Sequence, residues 1–122
     1  MDVTVSRLES LARLSEDWDS YGASRVESSR IQQAYNLLQS TMDEDTPAPI
    51  LVPTPEGSIQ MEWHTLGIEL EVSLLSDTDL DVCFEDLSGT ERPFDAVLSY
   101  DVTPLRGLMQ LLASRARDAK HA

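Results

Sequence analysis

Hydrophobic and polar positions change period twice along this chain. Leu8, Leu11, Ala12 and Leu14 recur at helical spacing, which predicts a short amphipathic helix over residues 5–15. The stretch Glu16 to Ala23 that follows contains Gly22 among Asp and Ser residues and reads as a turn, because glycine enters positive φ without cost and Asp or Ser bonds its own backbone. Ser24 and Glu27 have the spacing of a capping box, so a second helix is expected from about Arg25 to Met42. Its apolar stripe is Ile31, Ala34, Tyr35, Leu38 and Met42, with Val26 where the helix begins.

The helical period ends at Asp43-Glu44-Asp45-Thr46-Pro47-Ala48-Pro49, an acidic connector whose prolines interrupt regular hydrogen bonding. Beyond it the period is two. Ile50-Leu51-Val52 begins a strand, the stretch Pro53 to Gly57 predicts a tight turn, and Ile59, Met61 and Trp63 then share one face. Gly67 is expected to open the next strand, in which Ile68, Leu70, Val72 and Leu74 oppose Glu69, Glu71 and Ser73. Leu80, Val82 and Phe84 repeat the pattern against Asp81, Cys83 and Glu85, and residues 94–100 suggest a further strand. Short connections favour an antiparallel meander. Thr103 as N-cap and Pro104 in the first turn predict a last helix, carrying Leu105, Leu108, Met109 and Leu112 on one stripe.

These elements predict an α+β fold: two N-terminal helices, an antiparallel meander of three to five strands, and a C-terminal helix packed on one sheet face. A single domain over residues 1–122 is expected, helical over 1–42, an acidic sheet over 50–101, and helical again over 103–119. At 122 residues a domain buries roughly two-thirds of the surface its unfolded chain exposes, enough for a real core.

Charge adds what periodicity does not. The chain carries −13 at pH 7, with 22 acids against nine bases. Residues 43–101 hold fifteen of those acids and a single base, Arg92, whereas residues 102–122 hold only Asp118 against Arg106, Arg115, Arg117 and Lys120. Strand alternation places Glu62, Glu69, Glu71, Asp79, Asp81 and Glu85 together on the sheet face opposite the core. Two readings stand for that face: a solvated surface that keeps the protein soluble, or a docking surface on which carboxylates stand in for the phosphates of a nucleic acid. Mixed signs normally suffice for solubility, so the lack of bases on these strands lifts the docking reading without displacing the first. A protein this acidic is not expected to bind nucleic acid or an anionic membrane directly.

Candidate chemistry is sparse. Asp17-x-Asp19-x-Tyr21-Gly22 resembles the opening of a calcium loop, but Ser28 occupies the place of the closing glutamate; Asp77-x-Asp79-x-Asp81 lacks the glycine and ends on Ser88. Glu62 and His64 share a strand face and can titrate together, yet no nucleophile or second histidine accompanies them. The lone cysteine, Cys83, lies among like charges that disfavour a thiolate, and it cannot form an internal disulfide, which suits a reducing cytoplasm. No apolar stretch is long enough to span a membrane, and the first residues lack the pattern of a signal peptide. Trp18 and Tyr21 either plug the end of the core or form an exposed anchor pair for a partner.

The stretches Asp17 to Ala23 and Pro53 to Trp63 resemble a paired signature of small bacterial proteins, a WDGYGA-like turn and a PTPDGGIQLEW-like hairpin. The likeness covers roughly residues 8–75, and Ser20 and Glu56-Gly57-Ser58 depart from its usual form. It implies a bacterial or phage setting and transfers no catalytic residue.

The expectation is therefore a cytoplasmic, non-enzymatic acidic protein, without metal or cofactor, that binds through Glu62, Glu69, Glu71, Asp79, Asp81, Glu85, Trp18 and Tyr21. Its partner would be a basic protein surface, such as a nucleic-acid-binding complex or a toxin, which makes it an inhibitor of the anti-CRISPR or other anti-defence kind, or an antitoxin. One alternative is a small metal-dependent hydrolase using Asp17, Asp19, Glu62 and His64; another is a homodimer in which Arg115, Arg117 and Lys120 meet the acidic sheet of a second copy.

Overall fold

The computed structural model describes residues 2–121. In chain order the elements are α1 (Asp2–Ala12), α2 (Ser28–Thr41), β1 (Ile50–Pro53), β2 (Ile59–Thr65), β3 (Ile68–Leu74), β4 (Asp79–Asp86), β5 (Phe94–Ser99) and α3 (Thr103–Lys120). The strands form one antiparallel sheet in the order β1-β2-β3-β4-β5, so each pairs with its neighbour in sequence. Thr65 faces Ile68 across a connection of only two residues, Leu66 and Gly67, whose φ angles are 56° and 75°. A two-residue turn with both angles positive matches the natural twist of the strands it joins. Gly67 thus belongs to the turn and the strand opens at Ile68, one residue later than expected.

Register turns the alternation into two distinct faces. Leu70 is flanked by Trp63 and Phe84, and Val72 by Met61 and Val82. All of these side chains are buried, in one cluster with Leu8 and Leu11 of α1, Ala34, Leu37 and Leu38 of α2, and Leu105, Met109 and Leu112 of α3. Burying a large apolar side chain of this kind contributes roughly 1.5–3 kcal/mol. The fifth strand is present: Phe94, Ala96 and Leu98 continue the inner face at half burial, paired with Phe84, Val82 and Leu80. No helix among the described residues is long and apolar enough to cross a membrane.

All three helix starts differ from expectation. Ser24 and Glu27 do not form a capping box; α2 begins at Ser28, and Glu27, with ψ 137°, is extended and makes no side-chain cap. The Ser24 and Glu27 amides donate instead to the carbonyls of Pro55 and Gly57, at 2.8 and 2.9 Å. A tertiary partner has taken the donors that the box would have used. The two stretches of the paired signature are thereby neighbours in space. Gly57 has φ +87°, and a Cβ there would stand 2.9 Å from the Arg25 carbonyl oxygen, so both conformation and contact demand glycine. Thr103 likewise is not the cap of α3. Val102 holds the cap position, and the Asp101 carboxylate accepts the Thr103 amide at 2.9 Å. The first helix also starts earlier than expected, at Asp2, and ends at Ala12.

The acidic connector is fixed rather than loose. The Trp63 indole donates to the Pro47 carbonyl at 2.8 Å, and the Arg7 guanidinium donates to that of Pro49. Arg117 and Lys120 of α3 reach its carboxylates, with Lys120 Nζ 3.0 Å from Asp45.

Candidate protein-docking face

The face of the sheet turned away from the helices is built by every second residue of β2 to β5. Glu62 lies opposite Glu71, His64 opposite Glu69, Glu69 opposite Glu85, and Ser73 opposite Asp81. Cys83 lies between Glu71 and Asp95. None of the five strands contains a lysine or arginine. Glu62, Glu69, Glu71, Asp81 and Glu85 therefore stand together. Asp79, at the start of β4, accepts hydrogen bonds from Ser99 at 2.7 Å and Thr78 at 3.1 Å. Asp95 extends the acidic face onto β5; its alternation with Phe94 and Ala96 was the signal in the sequence.

His64 supplies the positive charge on this face. One ring nitrogen contacts a Glu62 carboxylate oxygen at 2.8 Å and the other contacts Glu69. With both nitrogens donating, the imidazolium is favoured, and the Glu62 bond, then the Glu69 bond, raise its pKa from 6.5 to about 9. Glu62, His64 and Glu71 offer ligand atoms within 4.8 Å of one another, as do Asp81, Cys83 and Asp95. A metal on His64 would have to displace a proton held by two carboxylates. Cys83 is poorly disposed as a nucleophile. Partial desolvation first, then the Asp95 carboxylate that accepts its thiol hydrogen, push its pKa up to about 11 although the residue is exposed.

Trp18 and Tyr21 part company. Trp18 is half-buried and its indole N–H donates to the Ser24 carbonyl at 2.9 Å, but it is not among the side chains packed on the core cluster. Tyr21 is 92% exposed and plugs nothing. The loop between them is closed by its own carboxylates: Asp17 accepts the Gly22 amide at 2.6 Å, and Asp19 accepts those of Tyr21 and Ala23 at 2.8 and 3.1 Å. Asp17 and Ser20 sit in the left-handed region with φ 61° and 64°, which these short hydrogen bonds stabilise. The two aspartates that a hydrolase would need beside Glu62 and His64 are thus engaged within their own turn, and no hydrogen bond among the described residues joins the two groups.

The basic end of α3 is engaged as well. The Arg115 guanidinium grips Asp86 with two bonds, at 3.0 and 2.7 Å, and donates to the Leu66 carbonyl at 3.0 Å. Asp86 is on the inner face, its side chain wholly buried. It also accepts from the hydroxyls of Ser88 and Thr90, and from the amides of Ser88 and Glu91. Arg115 first, then the Ser88 and Thr90 hydroxyls, hold this carboxyl far below the usual range. The homodimer alternative set Arg115 against a second copy of the chain and missed this pair; the inward parity of Asp86, one step past Glu85, was the clue.

Compared with known protein families, curated proteins and solved structures, the chain has no match.

Proposed function

We propose that the protein is a non-enzymatic binding protein that docks its acidic sheet face on a basic surface of a partner protein. The observation that carries this reading is the contiguous array of Glu62, Glu69, Glu71, Asp81 and Glu85, in which His64 is the single cation. Cross-strand repulsion between like charges costs some tenths to about 1 kcal/mol per pair, a cost the fold carries on this face only. A basic partner relieves it. The concrete form is an inhibitor of a nucleic-acid-handling protein, anti-CRISPR-like or otherwise anti-defence, or an antitoxin, whose carboxylates occupy the channel meant for phosphates.

Attraction of this kind speeds association and weakens as salt rises. The test is the affinity for the protein that co-purifies from the host, measured at about 50 and 500 mM salt, where screening lengths differ severalfold. The expected result is a steep loss at high salt and abolition by Glu69→Lys, Glu71→Lys and Asp81→Lys together. Equal binding at both salt levels, or survival of the triple reversal, rejects the reading.

A further inference from the structure

The sheet has two open edges, and only one is protected. β1 is four residues long, includes Pro53 and is bracketed by Pro47, Pro49 and Pro55. Proline offers no N–H to an added strand, and the Arg7 side chain already occupies the Pro49 carbonyl. β5 has six residues, no proline and no lysine, and its Val97 is 57% exposed. The Tyr100 amide donates to the Thr78 carbonyl at 3.2 Å. Two-residue alternation then turns the amides of Leu98 and Ala96 toward β4, and those of Asp95, Val97 and Ser99 toward the open side.

Recesses lie on both sides of the Phe94–Asp95 end of this edge. On the outer face, Glu69, Glu71, Glu85 and Asp95 border a hollow of about 390 Å³ beside Pro93. On the helix side, Phe94, Pro104, Leu108 and Leu111 border one of about 640 Å³, with Glu91 and Arg92 also in its lining. A strand added to β5 directs successive side chains alternately to these two sides. The acidic recess selects lysine or arginine; the other selects apolar residues.

We propose that β5 accepts an extended segment of the partner as a sixth strand, with lysine or arginine alternating with apolar residues. This rests on the docking reading above and adds the mode of attachment: main-chain bonds fix register, and the two recesses read alternate side chains. A second copy is a poorer occupant, because pairing β5 with itself joins two acidic faces edge to edge.

The probe is the blocked octapeptide Ac-Val-Lys-Val-Lys-Val-Lys-Val-Lys-NH2, compared with a block-ordered peptide of the same composition. Titration followed by amide hydrogen exchange is expected to slow Asp95 and Val97 by about tenfold or more. Val97→Pro removes an edge donor without touching the ladder to β4, and should weaken the alternating peptide by about tenfold or more. Where thermal unfolding shows that Val97→Pro has disturbed the fold, Val97→Lys keeps the amide and repels the basic strand, with the same loss expected. If the block-ordered peptide binds as well and Val97→Pro changes nothing, while the triple reversal of Glu69, Glu71 and Asp81 abolishes binding, charge alone holds the peptide. The edge proposal then falls and the docking reading stands. Binding that survives the triple reversal removes the docking reading itself. Dimerisation in light scattering, lost on Val97→Pro, assigns the edge to a second copy and overturns the proposal.

Discussion

Glu85 and Asp86 are adjacent on β4 and live in different electrostatic worlds. Asp86 points inward, wholly covered, with Arg115 and a ring of Ser, Thr and amide donors on its oxygens. Glu85 points outward and lies opposite Glu69, another carboxylate. The same contrast holds more widely: Asp43, Asp45 and Asp77 have Arg or Lys partners from the helices, whereas the sheet face has only His64. Lys120 first, then Arg117, hold Asp45 below its usual pKa. At Glu85 and Asp86, one residue of parity therefore separates a carboxylate that faces another carboxylate from one clasped inside the fold. Four of the nine bases, Arg30, Arg115, Arg117 and Lys120, pair with Asp43, Asp45, Asp77 and Asp86, and none among the described residues pairs with the outer sheet face, so net charge alone understates how unopposed that face is.

Breaking the covered pair should have the largest effect. Arg115→Ala leaves the Asp86 charge buried without its main partner, and the midpoint of thermal unfolding is expected to fall by roughly 10 °C or more. Because the folded carboxyl is held low, its contribution is complete above the ordinary carboxylate pKa of about 4 and declines as pH falls below that value. Wild type should therefore lose its advantage over Arg115→Ala in acid; a constant gap from pH 7 down to 3 would refute the assignment.

An intermediate effect is expected at His64. Its pKa is raised in the folded state, from 6.5 to about 9, so its stabilisation is complete below 6.5 and disappears as pH rises through 9. His64→Gln should flatten the decline in stability between those values, by a few degrees of midpoint at most given its exposure. A variant that declines as steeply as wild type would show that the histidine is not held by Glu62 and Glu69.

The smallest effect carries the most informative sign. Glu71→Gln removes a carboxylate directly opposite Glu62 and should raise the midpoint by about 1–2 °C at low salt, with the gain fading as salt is added. Destabilisation instead would mean that the outer carboxylates support the fold, and the contrast with Asp86 would collapse.

Much of this architecture is legible in the chain because alternation is a strong signal: Ile59, Met61, Trp63, Leu70 and Val82 all face the core as their spacing requires. The outer face follows from the same parity. What escaped were features decided by distant partners. Ser24-x-x-Glu27 has the form of a local cap, but carbonyls at Pro55 and Gly57 take its amides. Tyr21, for which the sequence allowed either a plug or an exposed anchor, is exposed, in a loop where Asp17, Ser20 and Gly22 are left-handed. Asp86 and Arg115 are 29 residues apart, beyond the reach of any local pattern.

That separation bears on how fast the molecule comes apart. Strands pairing in chain order close short loops first, with β2 and β3 joined across two residues, so the ladder can form before α3 is in place. The Arg115 clasp, which joins the Leu66 turn and Asp86 to the last helix, is then expected to close late. A late contact mainly governs the rate of unfolding. In stopped-flow measurements Arg115→Ala should steepen loss of structure in dilute denaturant while refolding keeps nearly its native rate, making this one arginine a determinant of lifetime; a slowed refolding limb would place the clasp in the folding nucleus instead.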